Sequence, residues 1–242
     1  MASEDRILHT EEVVKNFGGL TAVNHISMDV EPGQIYGLIG PNGAGKTTFL
    51  NCIAGSYPPS AGKVFFLGRQ TTGHAADDMC RRGMARTFQI PMPFPKLTVQ
   101  ENVLVGAVFG GSDGAGRSPE QRAQEALEFV RFPLPVDTPA EQLNTVQLKR
   151  LDLARALACR PKLLLLDELA SGLTPGEQDA MMGLIRQVRD TGITIVVVEH
   201  IMRVIKGICD EVMVIEYGSQ IAEGTPDEVL NNPRVIHAYL GD

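Results

Sequence analysis

Long apolar runs, basic clusters and closely spaced cysteines are all missing from this 242-residue chain. No uninterrupted apolar stretch approaches the roughly 20 residues a helix needs to cross a bilayer, so the chain is not expected to span a membrane. The first ten residues, MASEDRILHT, are acidic and polar and offer no apolar centre for a signal peptide. Basic residues number 22 against 29 acidic ones, for a net charge of −7, and no Lys/Arg block of the kind that neutralises phosphate backbones occurs. Nucleic acid is therefore not an expected partner. The four cysteines, Cys52, Cys80, Cys159 and Cys209, contain no Cys-x-x-Cys pair. That argues against a zinc site or a disulfide framework and for a reducing cytosol, with each thiol packed in a core.

What is present is an alternation of short strand-like and helical segments, the pattern of an α/β protein. QIYGLIG, KLLLLDE and TIVVVEH read as parallel strands buried on both faces, whereas RILHTEEVVKNF, ISMDV, GKVFFLG, EVMVIEYG and SQIAEG look more antiparallel. A tight turn is expected at Tyr217-Gly218-Ser219. Four helix starts pair a hydroxyl N-cap with Glu or Gln three residues on: Thr98/Glu101, Ser118/Gln121, Thr174/Glu177 and Thr225/Glu228. The last three also carry proline at the first helical position, where its missing N–H does no harm. Between Gln89 and Leu143 the pattern becomes IPMPFPK, a helix, a glycine-rich GGSDGAGRS and another helix, read as a helical insertion with a flexible surface loop.

The sharpest signal is GPNGAGKTT, the run Gly40, Pro41, Asn42, Gly43, Ala44, Gly45, Lys46, Thr47 and Thr48, set between a strand and a helix. It fits Gly-x-x-x-x-Gly-Lys-Thr, in which glycines let backbone N–H groups converge on phosphate oxygens at a helix N-terminus. Lys46 is expected to contact the β- and γ-phosphates of ATP, and Thr47 to give its hydroxyl to Mg²⁺. Further along, LLLLDE ends a buried strand in an acidic pair. Beside a phosphate loop, Asp167 can serve Mg²⁺ and Glu168 can face a water aimed at the γ-phosphate.

In this order the motifs resemble the ATPase subunit of an ATP-binding cassette (ABC) transporter, over nearly the whole chain. NFGGLTAVNHIS, ARTFQ, VVVEHIM and EGTPDEVLNNPRVIHAYLGD more narrowly resemble the ATPases of branched-chain amino acid uptake systems. The resemblance implies a phosphate-loop NTPase core, a mostly parallel sheet with flanking helices, joined by an antiparallel β subdomain and a helical subdomain at about 90–160, all within one domain spanning 1–242. It also implies that Phe17 stacks on adenine beside Ala22, that Gln89 senses Mg²⁺ and the attacking water, and that His200 is the switch histidine at the γ-phosphate.

The family signature Leu-Ser-Gly-Gly-Gln closes over the nucleotide held by a second cassette. Here it reads Leu143-Asn144-Thr145-Val146-Gln147. Asn144 and Gln147 keep side chains able to reach phosphate, while Thr145 and Val146 put β-branched bulk where glycine permits close approach. Asn144 or Thr145 also suits a plain helix cap. Leu169 stands where proline usually follows the acidic pair, and Thr174 where an acidic or amide residue is usual.

The implied function is ATP hydrolysis that energises a branched-chain amino acid importer from the inner, cytoplasmic face of the membrane. Permease subunits, a second ATPase or another copy of this chain, and indirectly an external binding protein, would be the partners. Two alternatives stand: a regulatory ATP-binding module with weak turnover, and a soluble cassette ATPase unconnected with transport.

Overall fold

The computed structural model describes residues 6–111 and 116–240, so the centre of the glycine-rich loop and the first five residues lie outside the described residues. A four-stranded antiparallel sheet runs in the order β2 (Leu20–Val30), β1 (Leu8–Phe17), β4 (Ala61–Phe66), β5 (Arg69–Gln70). A six-stranded sheet runs β10 (Ser219–Gly224), β9 (Glu211–Glu216), β3 (Ile35–Ile39), β8 (Thr194–Val198), β7 (Leu163–Asp167), β6 (Met84–Arg86). Helix α1 (Lys46–Ile53) packs between the sheets.

The two-residue strand period explains why the central strands are buried on both faces. Tyr36, Leu38, Leu163, Leu165, Val196 and Val198 face α1 and the antiparallel sheet. Ile35, Ile39, Leu164, Leu166, Ile195 and Val197 face the other way, toward the remaining helices. Strand β9 departs from the sequence reading: it is antiparallel to β10 but parallel to β3. Its residues Val212–Ile215 are all buried, as a strand inside a parallel sheet requires.

Between β6 and β7 the chain forms α3 (Val99–Phe109), α4 (Pro119–Phe129), a single 3₁₀ turn and α5 (Thr145–Ala158), which pack on one another. After β7 come α6 (Pro175–Asp190), α7 (Met202–Ile208), α8 (Pro226–Leu230) and α9 (Pro233–Leu240). All four expected capping boxes form. Tyr217 and Gly218 both take positive φ and make the expected two-residue turn between β9 and β10. Among the elements with no legible signal are β5, β6 and the six-residue helix α2 (Ala76–Arg81). Each is too short to show a period.

The proline-bearing segment before α3 is held by one buried amide. The Asn102 side chain accepts from the Phe94 N–H at 2.8 Å and donates toward the carbonyl oxygens of Phe94, Leu97 and Thr98 at 3.1, 3.2 and 2.9 Å. Asn102→Ala strands these groups, and an unmade buried hydrogen bond costs about 1–3 kcal/mol. Urea unfolding of Asn102→Ala is expected to show a lower midpoint at unchanged slope, by about 2 kcal/mol.

Candidate functional site

Strand register assembles the site. Leu38 of β3 lies beside Val198 of β8, Val198 beside Asp167 of β7, and Leu165 beside Arg86 of β6. The residues that follow these strands, the Gly40 loop, Glu168, His200 and Gln89, therefore emerge at one edge of the sheet. Carboxyl ends of parallel strands are the usual place for ligands in such folds.

The phosphate loop is clamped from outside. Gly40 and Gly45 have φ of +149° and +103°, and a Cβ on them would fall 2.0 Å from the Ile215 carbonyl oxygen and 2.2 Å from that of Ala22. The Gly218 N–H donates to the Ala44 carbonyl at 2.9 Å, so the β9–β10 turn braces the loop too. Helix α1 starts after Gly45 with no side-chain cap, leaving its first-turn N–H groups to an anion. Lys46 is buried and donates to the carbonyl oxygens of Gly40 and Pro41 at 2.7 and 2.9 Å. Burial lowers its pKa, while Glu168 and Asp167 pull it back up.

A cleft of ≈ 400 Å³ is lined by Phe17, Ala22, Asn42, Gly43, Ala44, Gly45, Lys46, Thr47, Thr48, Gln89 and Glu168, among others. Phe17 is 45% exposed. Its ring meets the edge of Tyr57, 5.6 Å between centroids, and Lys15 Nζ lies 5.1 Å from its centroid. Asp167 is buried; its Oδ2 accepts from Arg86 at 2.8 Å and its Oδ1 has no partner. Burial raises the Asp167 pKa against the pull of Arg86. A buried carboxylate oxygen without a donor, with Thr47 exposed in the cleft, suits a hard cation with oxygen ligands. The donor set and the glycine cradle thus fit Mg²⁺ and phosphate.

Glu168 adopts φ of +49°, uncommon for a residue with a Cβ. Three contacts hold it: its N–H donates to the Val198 carbonyl at 2.9 Å, its own carbonyl accepts from Lys149 Nζ at 2.8 Å, and its carboxylate accepts from Gln89 Nε2 at 2.8 Å. His200 Nδ1 lies 3.7 Å from the same carboxylate. Behind it, Glu199 is buried with a raised pKa, caused mainly by desolvation, and accepts from the Ala170 N–H at 2.7 Å. Arg86, Lys149 and Glu199 carried no signal of their own in the sequence; only Glu199, an acid at the end of an apolar strand, stands out once its burial is known.

Asn144 and Gln147 do not join the cleft. They form a reciprocal cap on α5: the Gln147 N–H donates to Asn144 Oδ1 at 3.0 Å, and the Asn144 N–H to Gln147 Oε1 at 2.9 Å. Thr145 is an exposed helical residue and Val146 packs against the core. Leu169 is buried and Glu177 reaches back to the Thr174 N–H. Phe94 lies 5.6 Å beneath the Arg155 guanidinium and Leu97 is half-buried, while Ile90 and Met92 are 75% and 73% exposed. Cys80 and Cys159 are half-buried rather than core thiols.

The family model described as "ABC transporter" matches residues 23–171, and that described as "Branched-chain amino acid ATP-binding cassette transporter" matches residues 219–242. The chain is 38% identical over 246 residues to a probable branched-chain amino acid transport ATP-binding protein LivG of Archaeoglobus fulgidus, covering 98% of this chain and 96% of that one. It is 38% identical over 250 residues to the high-affinity branched-chain amino acid transport ATP-binding protein BraF of Pseudomonas aeruginosa, covering 98% of each. The crystal structure of a nucleotide-free ATP-binding cassette from an ABC transporter superimposes with a TM-score of 0.90 at 30% identity, over 98% of this chain and 100% of that one.

Gly45→Ala puts a methyl group against the Ala22 carbonyl and forces a side chain into a left-handed conformation. It is expected to weaken ATP binding at least 10-fold in calorimetry and to cost about 1–3 kcal/mol of stability.

Proposed function

The chain belongs to the ABC transporter family as an ATPase subunit, and we propose that it energises a branched-chain amino acid importer by hydrolysing ATP on the cleft around Lys46 and Glu168. The observation that carries this reading is the Gln89–Glu168 hydrogen bond at the mouth of the glycine cradle. A carboxylate so held beside the cradle supports a role in orienting a water toward the γ-phosphate. Phe17 offers its ring to adenine, with Ala22 and the loop from Gly40 to Thr48 around the phosphates.

Lys46 would leave its two carbonyl acceptors for phosphate oxygens, trading neutral partners for charged ones. Mg²⁺, held by Thr47, Asp167 and Gln89, would neutralise charge on the β- and γ-phosphates. Glu168 orients the attacking water and accepts its proton, and His200 contacts the γ-phosphate from the adjoining strand end. Positioning and charge neutralisation supply most of the catalysis in such phosphoryl transfer.

Branched-chain substrates are supported by the names of the relatives and by the match of residues 219–242. No described helix is long and apolar enough to cross a membrane, so permease subunits would carry the transport path and this chain would sit on their cytoplasmic face. Their contact is the apolar surface of Ile90, Met92 and Phe94, next to a groove of ≈ 250 Å³ whose lining includes Arg155, the side chain that reaches the Met92 carbonyl and the Phe94 ring. The same segment ends at Gln89, which couples permease position to the hydrolytic carboxylate.

Asn144 and Gln147 do not line this chain's own cleft, so a second cassette would be needed for them to meet a nucleotide. A second reading, ATP held with weak turnover, is favoured by one observation: Thr145 and Val146 form the first helical turn where glycine is usual. Both readings keep this chain's own phosphate site intact.

Lys46→Ala is expected to abolish ATP binding in calorimetry with the circular dichroism spectrum unchanged. Glu168→Gln should bind ATP normally and lose turnover by about 10²-fold or more in the reconstituted transporter. Normal turnover in Glu168→Gln would remove the proposed base.

A further inference from the structure

Two of the four cysteines meet in space. Cys80 lies in the last turn of α2 and Cys159 caps the C-terminus of α5. Both line the groove of ≈ 250 Å³ between the sheet edge and α3, and both are half-buried, so a small solute reaches them. The surrounding backbone converges at the same point: a Cβ at Gly111 would lie 3.1 Å from the Arg81 carbonyl oxygen and 3.8 Å from that of Cys159. Cys52 and Cys209, by contrast, are buried, and desolvation raises both thiols, that of Cys52 to about 11. Thiols of that kind are inert.

We propose that Cys80 and Cys159 form a peroxide-oxidisable dithiol whose disulfide staples α5, and the helices packed on it, to the α2 edge of the parallel sheet.

The pair is chemically asymmetric. The neighbouring Cys159 thiol, with Arg81 adding positive potential, brings the Cys80 thiol down to about 7. The same contact and burial push Cys159 up, and its Sγ also lies 3.2 and 3.4 Å from the carbonyl oxygens of Gly106 and Arg155, which keep its proton in place. Cys80 is therefore the thiolate near neutral pH and the nucleophile. It attacks one oxygen of hydrogen peroxide, the O–O bond breaks, and the departing hydroxide takes a proton to become water, leaving a sulfenic acid on Cys80. Cys159 then loses its proton and attacks that sulfur; the S–O bond breaks and the second oxygen leaves as water. Two thiols lose two electrons to one peroxide, giving one disulfide and two waters.

The consequence lies along α5. Its N-terminus carries Asn144 and Gln147, its second turn carries Lys149 beneath Glu168, and its C-terminus would become covalently fixed to the sheet edge.

The test uses the purified chain and a small molar excess of hydrogen peroxide, read by intact mass and peptide mapping. The expected product has lost two hydrogens, gives a peptide joining Cys80 to Cys159, and reverts with dithiothreitol. Cys80→Ser and Cys159→Ser should each prevent the loss, and dimedone should trap a sulfenic acid on Cys80 in the Cys159→Ser chain. Alkylation of Cys80 should reach half its maximal rate near pH 7, following its pKa of about 7. The oxidised chain should melt several degrees above the reduced one, a difference absent in Cys80→Ser. Four free thiols after treatment, disulfides only between chains, or a bond through Cys52 or Cys209 would overturn the dithiol. A disulfide with no change in melting would overturn the staple.

Discussion

The level ends of β3, β8 and β7 are the constraint on which the chemistry of this molecule depends. Because Leu38, Val198 and Asp167 pair in register, each next residue leaves the sheet at the same height, and groups far apart in the chain meet without a long loop to order. Charges gathered there are desolvated. Lys46 is held down and Asp167 up by burial, and one Asp167 oxygen has no protein donor. A polyanion with its cation relieves that arrangement, which is why the cleft is a binding site before it is a catalytic one.

Helix α5 connects this edge to the helices packed on it. Lys149, on its second turn, holds the Glu168 carbonyl and so supports a backbone conformation that a residue with a Cβ rarely takes. The N-terminus of the same helix carries the altered signature. Asn144 and Gln147 satisfy one another there, and Val146 turns toward the core. The segment is a well-made helix start. What it lacks is the bare backbone that two glycines would present to a neighbouring nucleotide.

The phosphate loop was legible because its chemistry demands glycine and lysine at fixed spacing in a strand, loop, helix setting, and the capping boxes because they are local. The same locality explains what stayed hidden. Strand β6 is three residues long and exists by pairing with β7. Arg86 reaches Asp167, Tyr57 reaches Phe17, and Cys80 reaches Cys159 only through the tertiary fold. The exposure of Ile90 and Met92 rather than Leu97 follows from Asn102 folding the proline-bearing segment back on α3, a contact no periodicity reveals.

In the proposed function, the cassette's own phosphate site is whole and its altered signature makes its activity depend on its partner. Phosphate release at saturating ATP measures this directly, in homodimers of the unaltered chain, in homodimers carrying Asn144→Ser, Thr145→Gly and Val146→Gly, and in mixed dimers with a second cassette bearing Leu-Ser-Gly-Gly-Gln. The account predicts slow release from the unaltered homodimer. It predicts release faster by about 10-fold or more in the other two, the effect of regaining one transition-state donor worth about 1.4 kcal/mol. Equally brisk hydrolysis by all three would contradict it.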